Sequence, residues 1–215
     1  MDILGGSQLS NNSTFTTFVL KVVALIFVLY IYNISKASIA FFLGDKSSRT
    51  KDALTLNLFK NIEPVGFILF LAMNCGWAKP LNISFLHMKD KKKSAYFVYI
   101  LPNVIIFLIS ILLVSTLGLV SSFIPISATL HYYSFVSQFM YYTCFYIILN
   151  LLPVAPFDCY HILTKNGKPN TRMYLSNNEK IFQMVFIFLL FFGILNVLVS
   201  PFVSFVANLI LGLAV

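Results

Sequence analysis

The chain has 215 residues, of which 59% are hydrophobic, 16% aromatic and only 10% charged. Soluble domains average roughly 45–50% apolar and about 25% charged residues, so this composition excludes an ordinary soluble domain and indicates an integral membrane protein. The formal charge of +8 does not indicate nucleic-acid binding, because the basic residues lie in short loops between apolar runs, as the positive-inside rule describes.

The first part of the chain predicts one long membrane helix and one short apolar segment. Residues 1–14 are expected to form an extracytoplasmic tail. The apolar run 15–43 is long enough, at about 1.5 Å per residue, to cross a hydrocarbon core of ~30 Å. Residues 53–57 alternate weakly and predict a small β element at the cytoplasmic side. The run 64–77 is short for a span and has basic residues on both flanks, so we expect it to be re-entrant.

The rest of the chain adds four apolar segments and completes a single membrane domain over residues 15–215. Pro201 is expected to break the helix between the last two segments, and the last one either crosses with a tilt or packs at the outer surface. The expected fold is an all-α polytopic membrane protein with five to six membrane segments, at residues 15–43, 64–77, 95–119, 131–153, 181–200 and 202–215.

The basic residues predict the orientation of the chain. Of the 15 lysines and arginines, 13 fall in the three loops between these segments that would face the same side. Cytoplasmic loops carry an excess of Lys and Arg. We therefore expect a protein of the cytoplasmic membrane with its N-terminus outside and its basic loops in the cytoplasm.

One motif near the end of an apolar run contains Asn150, Pro153, Pro156 and Asp158 at the spacing N-x-x-P-x-x-P-x-D. Proline removes a backbone donor and breaks a helix. An ionisable side chain at membrane depth is costly and marks a candidate functional site, so Asp158 needs a partner, a metal or a water-filled cavity.

This motif resembles that of the site-2 protease family, the intramembrane zinc metalloproteases. The resemblance extends over about residues 30–165 and is closest to the short bacterial branch of the family. Its further landmarks are Leu43-Gly44-Asp45, Leu54-Thr55-Leu56-Asn57, Asn61-Ile62-Glu63-Pro64-Val65-Gly66 and Gly76-Trp77-Ala78-Lys79-Pro80.

The resemblance also implies where a zinc site would lie. In that family an H-E-x-x-H helix supplies two histidines and a general base, and the aspartate of the later motif is the third ligand. Counting back from the Leu-Gly-Asp landmark places Tyr32 and Lys36 at the histidine positions and Asn33 at the glutamate position. Only Asp158 keeps its family identity.

Two further family signatures are altered. The two glycines expected after the aspartate are replaced by Cys159 and Tyr160. The Gly-Pro-x-x-Asn pattern of the third helix reads Leu101-Pro102-Asn103-Val104-Ile105 and keeps only its proline. The resemblance therefore implies the family fold without the catalytic residues, and we expect no cofactor.

Two interpretations of Lys36 remain open. Its ammonium group either forms an intramembrane ion pair with Asp158 in place of the metal, or extends to the cytoplasmic interface. A rebuilt zinc site at Asp158, Cys159 and His161 is the weaker alternative, because that set lacks a ligand from a second helix and a carboxylate base.

The function implied by the resemblance is that of a catalytically inactive membrane protein. Besides the lipid bilayer, its partner would be a transmembrane peptide or a membrane protein, which it would bind as a scaffold, a regulator or a complex subunit. The alternative is an active intramembrane metalloprotease with a non-standard zinc site. A transporter role has little support, because the chain has few intramembrane charges and no duplicated half.

Overall fold

The computed structural model describes residues 5–55, 63–73, 77–81 and 83–213. Within these residues the secondary structure is helical and contains no strand, which confirms the all-α class. The described helices are α1 (Gly5–Phe42), α2 (Ser48–Ala53), α3 (Pro64–Met73), α4 (Lys91–Ser121), α5 (Ile126–Leu151), α6 (Asp158–Asn166), α7 (Pro169–Asn177), α8 (Glu179–Phe191) and α9 (Ile194–Leu213).

Two of these helices are long and apolar enough to cross a membrane, over Phe15–Phe42 and Lys91–Val120. They correspond to the predicted segments 15–43 and 95–119. The number of crossings in the rest of the chain and its orientation stay predictions.

The β element predicted at residues 53–57 is not seen in the described part of that stretch. The Ser47 side chain accepts a hydrogen bond from the Thr50 backbone and caps α2, so a helix forms there instead. Ala53 is the last residue of α2, and the two residues that follow it form a turn. Residues 56 and 57 lie outside the described residues.

The break between the last two helices differs from the predicted position. It lies at Gly193, whose φ of 68° is in the left-handed region that favours glycine. Pro201 lies inside α9. Proline is tolerated within apolar helices because neighbouring groups can satisfy the freed backbone carbonyl. The segments predicted at 181–200 and 202–215 are therefore divided at residues 192–193 instead.

The core of the bundle is built where α1, α4 and α5 pack on one another. Its fully buried side chains include Leu29, Tyr32, Phe139, Phe145 and Leu149. Many other large apolar side chains are exposed on the outer helix faces, for example Leu108 and Leu112 on α4. In a membrane, such faces contact lipid, and close packing rather than hydrophobic burial drives the helices together.

The Leu-Gly-Asp landmark forms a tight corner after α1. The Asp45 carboxylate is buried and accepts hydrogen bonds from the Ser84 backbone at 2.9 Å and the Thr50 hydroxyl at 2.8 Å. Gly44 has a φ of 117°, and a Cβ there would lie 3.1 Å from the His87 carbonyl oxygen. This landmark thus ties α2 and the segment before α4 to the end of α1.

The packing of α3 also explains the glycine of a second landmark, Gly66. A Cβ at Gly66 would lie 2.7 Å from the backbone oxygen of Trp77. Only glycine lets α3 approach the chain this closely. The Trp77 ring in turn packs edge-on against Phe157 and Phe186, at centroid distances of 6.4 and 6.0 Å. The glycine therefore helps to seat the segment 77–81 beside the residues that precede Asp158.

Candidate functional site

The residues that the resemblance places at the histidine and glutamate positions lie on α1, buried within the bundle. Tyr32 and Lys36 are four residues apart and therefore share one face of the helix. Tyr32, Asn33 and Lys36 are all at least 95% buried. Such burial of a lysine requires a charge partner.

Asp158 is the first residue of α6 and is 2% exposed. Its position follows from the motif, because α5 ends at Leu151 and the two prolines that follow cannot continue it. The chain turns there, with a cis peptide bond before Pro156, and α6 begins beside α1 and α4. The motif thus delivers a carboxylate to the buried face of α1.

The structure brings Lys36, Tyr32 and Asp158 together. Lys36 Nζ lies 2.6 Å from Asp158 Oδ1, and the two side chains are 6% and 3% exposed. The Tyr32 hydroxyl donates a hydrogen bond to Asp158 Oδ2. Lys36 Nζ also donates to the Tyr32 hydroxyl at 3.2 Å. The ammonium group of Lys36 therefore points inward to the carboxylate and not to a surface.

Two asparagines complete the surroundings of the carboxylate. Asn103 Nδ2 donates to Asp158 Oδ2 at 3.1 Å and to the Tyr99 carbonyl at 2.8 Å. Asn150 Nδ2 donates to Asn103 Oδ1 at 2.8 Å. The motif had pointed to Asn150, whereas Asn103 was missed as a site residue. The available signal was a carboxamide in an apolar helix, directly after Pro102.

Aromatic rings enclose the ammonium group. Lys36 Nζ lies 4.7 Å from the centroid of Tyr99 and 5.3 Å from that of Tyr32. Tyr146 packs edge-on against Tyr32, with centroids 4.7 Å apart. Cation–π contacts strengthen when the cation is removed from water. The rings therefore add to the stabilisation that Asp158 gives to the buried charge.

The residues of the alternative zinc site do not join in one cluster. The His161 ring stacks on Tyr99, with centroids 5.4 Å apart. Burial, with a further contribution from Lys36, lowers the pKa of His161 to about 4. Cys159 follows Asp158 and is partly buried. Among the described residues, no group of three or more His, Cys, Asp or Glu side chains is placed to hold a metal ion.

Zinc does not fit the chemistry of the three central side chains. Zinc is held by thiolates, imidazoles and carboxylates. A protonated lysine has three donors and no lone pair to offer, and its charge repels a metal cation. The ammonium of Lys36 occupies the face of α1 from which a ligand would have to reach Asp158.

A small polar cavity adjoins the ion pair. Its volume is about 10 Å³, and its lining includes Asn33, Lys36, Asn150, Asp158 and the backbone segment 77–81. A site of this size holds about one water molecule. Asn33 Nδ2 donates to the Lys79 carbonyl at 3.3 Å, so the position where the resemblance places the general base carries a carboxamide, which cannot accept a proton from water.

The fold and the site together define a helical protein with two membrane-length helices and a buried carboxylate neutralised by a lysine. The chain is similar to the protein named "Putative zinc metalloprotease YwhC" of Bacillus subtilis (strain 168), with 26% identity over 171 residues, which cover 78% of each chain. No family model matches the sequence. No solved structure matches it either. The similarity fits a metalloprotease-type family at low identity.

Proposed function

We propose that the protein is a catalytically inactive relative of the intramembrane zinc metalloproteases. The observation that supports this most directly is the 2.6 Å contact between Lys36 Nζ and Asp158 Oδ1. The relative's name supports a metalloprotease ancestry. The local chemistry supports the loss of activity, because the one retained acidic residue has both oxygens engaged and an ammonium group lies against it.

In this proposal the ion pair replaces the metal in its structural role. It joins α1 to the start of α6, where a zinc ion would have joined the same two elements. A buried ion pair is weak support for net stability, but removal of one partner leaves an uncompensated charge, which is strongly destabilising. The pair is therefore a means of holding the motif in place without a metal.

The role we propose for this protein is to bind a transmembrane segment or a membrane-protein partner as a scaffold, a regulator or a complex subunit. Its location would be the cytoplasmic membrane, with the N-terminus outside and the basic loops inside. Support comes from the two membrane-length helices and from the basic loops between apolar runs. Co-purification from native membranes, followed by mass spectrometry, would identify the partner.

Metal analysis and a cleavage assay test the proposed inactivity. We expect the purified protein to contain no stoichiometric zinc and to leave a transmembrane peptide uncleaved. Stoichiometric zinc, together with cleavage that a chelator blocks, would establish the alternative, an active metalloprotease with a non-standard site.

A restored-site variant provides the positive control for this experiment. The triple substitution Tyr32→His, Asn33→Glu and Lys36→His recreates H-E-x-x-H on the face of α1 that meets Asp158. Residues four apart on a helix can bind one metal, so we expect this variant to bind zinc where the natural chain does not. If the variant is folded and still binds no zinc, the proposed ancestry of the site is wrong.

A further inference from the structure

A second, larger cavity shares Asn150 and Asp158 with the small polar one. Its volume is about 460 Å³, within the range of ligand-binding pockets. Its walls are apolar and come mainly from Ile100, Val104 and Phe107 of α4 and from Ile147 and Leu151 of α5. The cleft ends at the cluster of Asn103, Asn150 and Asp158, so it has one polar end and apolar sides.

The polar side chains at the end of the cleft already have hydrogen-bond partners, which limits the kind of ligand that the cleft can bind. Asn103 Nδ2 already donates to both Tyr99 and Asp158, and Asn103 Oδ1 accepts from Asn150. An extended peptide would carry unpaired backbone N–H and C=O groups into apolar walls that offer them no partners, which is costly. A hydrocarbon chain carries no such groups. The walls therefore favour an acyl chain over an extended peptide.

The positive charges near the cleft indicate which lipid headgroup would bind there. Lys93 precedes Ile100 by seven residues, so the two share a face of α4 and lie roughly 10 Å apart along its axis. Lys92 belongs to the same first turn, and its carbonyl accepts a hydrogen bond from Asn166 Nδ2 at 2.9 Å. That contact brings the C-terminal end of α6, with Lys165, to the same place.

This basic end is only weakly neutralised. The described carboxylate nearest to it in an ion pair is Asp90, whose Oδ2 lies 3.7 Å from Lys93 Nζ in a largely exposed contact. The lysines thus create a positive potential at the N-terminal end of α4. The exposed face of α4 connects this end to the cleft. Juxtamembrane lysines attract anionic lipid headgroups.

We propose that this cleft holds one acyl chain of an anionic phospholipid, with the lipid phosphate at the lysines of the first turn of α4. The proposal goes beyond the scaffold function and does not depend on it. The acyl chain would fill the space that packing leaves between α4 and α5, and the headgroup would offset the charge of Lys92 and Lys93.

Photolabelling in vesicles tests both parts of this proposal. The full chain is reconstituted in phosphocholine vesicles that contain a trace of lipid with a photoreactive group on its acyl chain. One set carries a phosphoglycerol headgroup and the other a phosphocholine headgroup. We expect the phosphoglycerol probe to label residues 100–107 preferentially. Val104→Trp should abolish this labelling, whereas Leu112→Trp, about two turns further along α4 at an exposed position that does not line the cleft, should not.

Separate variants test whether the lysines of α4 bind the lipid headgroup. Lys92→Gln and Lys93→Gln should each reduce the preference for the anionic probe about fivefold, whereas Lys180→Gln, in the first turn of α8, should leave it unchanged. Equal labelling by the two headgroups would overturn the proposal. Uniform labelling of every exposed face of α4 would do so too, because it is the pattern of bulk lipid. Displacement of the probe by a transmembrane peptide would assign the cleft to a peptide instead.

Discussion

The chain buries two carboxylates, Asp45 and Asp158, to the same extent, with 2% of each residue exposed. The hydrogen-bond donors to Asp45 are neutral groups, namely the backbones of Ser47 and Ser84 and the hydroxyl of Thr50. Burial raises the pKa of Asp45, but these hydrogen bonds outweigh it, so its pKa lies below the ordinary value.

Asp158 is satisfied in a different way. It receives a full positive charge from Lys36, along with the Tyr32 hydroxyl and the Asn103 amide. A carboxylate held mainly by backbone N–H groups depends on the fold around it, because a side-chain substitution does not remove those donors. A carboxylate held by a cation depends on one side chain. The two carboxylates thus show two ways of satisfying a buried charge, one through several neutral donors and one chiefly through a single cation.

The largest effect should follow from removal of that one cation. Lys36→Met leaves Asp158 buried without its counter-charge, so we expect a loss of about 3–5 kcal/mol in the free energy of unfolding. Replacing both charges, as Lys36→Met with Asp158→Asn, should recover much of this loss. The measurement is a double-mutant cycle on unfolding in detergent micelles.

Lys21→Met provides the matched control for this cycle. Lys21 lies on the same helix, and no described carboxylate forms an ion pair with it. We expect its substitution to change stability by less than about 0.5 kcal/mol. Strictly additive losses for the Lys36 and Asp158 variants would show that the two charges do not act as a tie between α1 and α6.

A smaller effect should come from the phenol at the same carboxylate. Tyr32→Phe removes a hydroxyl that donates to Asp158 and accepts from Lys36, and it keeps the ring that packs against Tyr146. Hydrogen bonds to charged groups contribute about 1.5–3 kcal/mol, and we expect a loss in that range. Tyr30→Phe, on another face of α1, is the control. An equal effect of the two substitutions would exclude a specific role for Tyr32.

The stabilisation that Asp45 gives to the corner after α1 should depend on pH, independently of the Lys36–Asp158 ion pair. The folded-state pKa of Asp45 is lowered from the ordinary 3.8, so its stabilisation is fully present above that value and is lost as the pH falls through the lowered one. Asp45→Asn places an amide against the Ser84 and Thr50 donors and should cost about 1–3 kcal/mol at neutral pH. The variant should also lose part of the acid dependence of unfolding.

Asp52→Asn is the control for this measurement, because Asp52 is exposed on the neighbouring α2. We expect it to retain both the stability and the acid dependence of the natural chain. If Asp45→Asn has the acid dependence of the natural chain, the corner's hydrogen bonds do not lower the carboxyl pKa as the geometry implies.

The sequence was enough to predict the helical class and to name Tyr32 and Lys36 as candidate neighbours of Asp158. Tyr32 and Lys36 could be located because the family resemblance implies a fixed distance between the histidine positions and Asp45, and residues four apart on a helix share a face. Asp158 could be located because two prolines end a helix wherever they occur. The first of these inferences rests on the family resemblance, and the second on the effect of proline on a helix.

The parts that the sequence did not reveal depend on packing. Asn103 reaches Asp158 only because of the rotation of α4 against α6, which no local motif encodes. The break at Gly193 depends on a left-handed φ that many glycines do not adopt. Pro201 stays within α9 because its surroundings accommodate it. In each case the outcome is set by neighbours that are distant in sequence.

Asn103 therefore offers the finest test of the comparison between the two carboxylates. Asn103→Leu removes one of three groups that contact Asp158 and leaves the Asn150 amide without its acceptor. Lys36 and Tyr32 remain, so we expect a loss of about 1 kcal/mol in unfolding free energy. Ser115→Ala, whose hydroxyl bonds only within the exposed side of α4 at the Leu112 carbonyl, should change stability by less than that. A loss as large as that of Lys36→Met would mean that Asp158, like Asp45, is held chiefly by dipoles, and the lysine would then be incidental to the site.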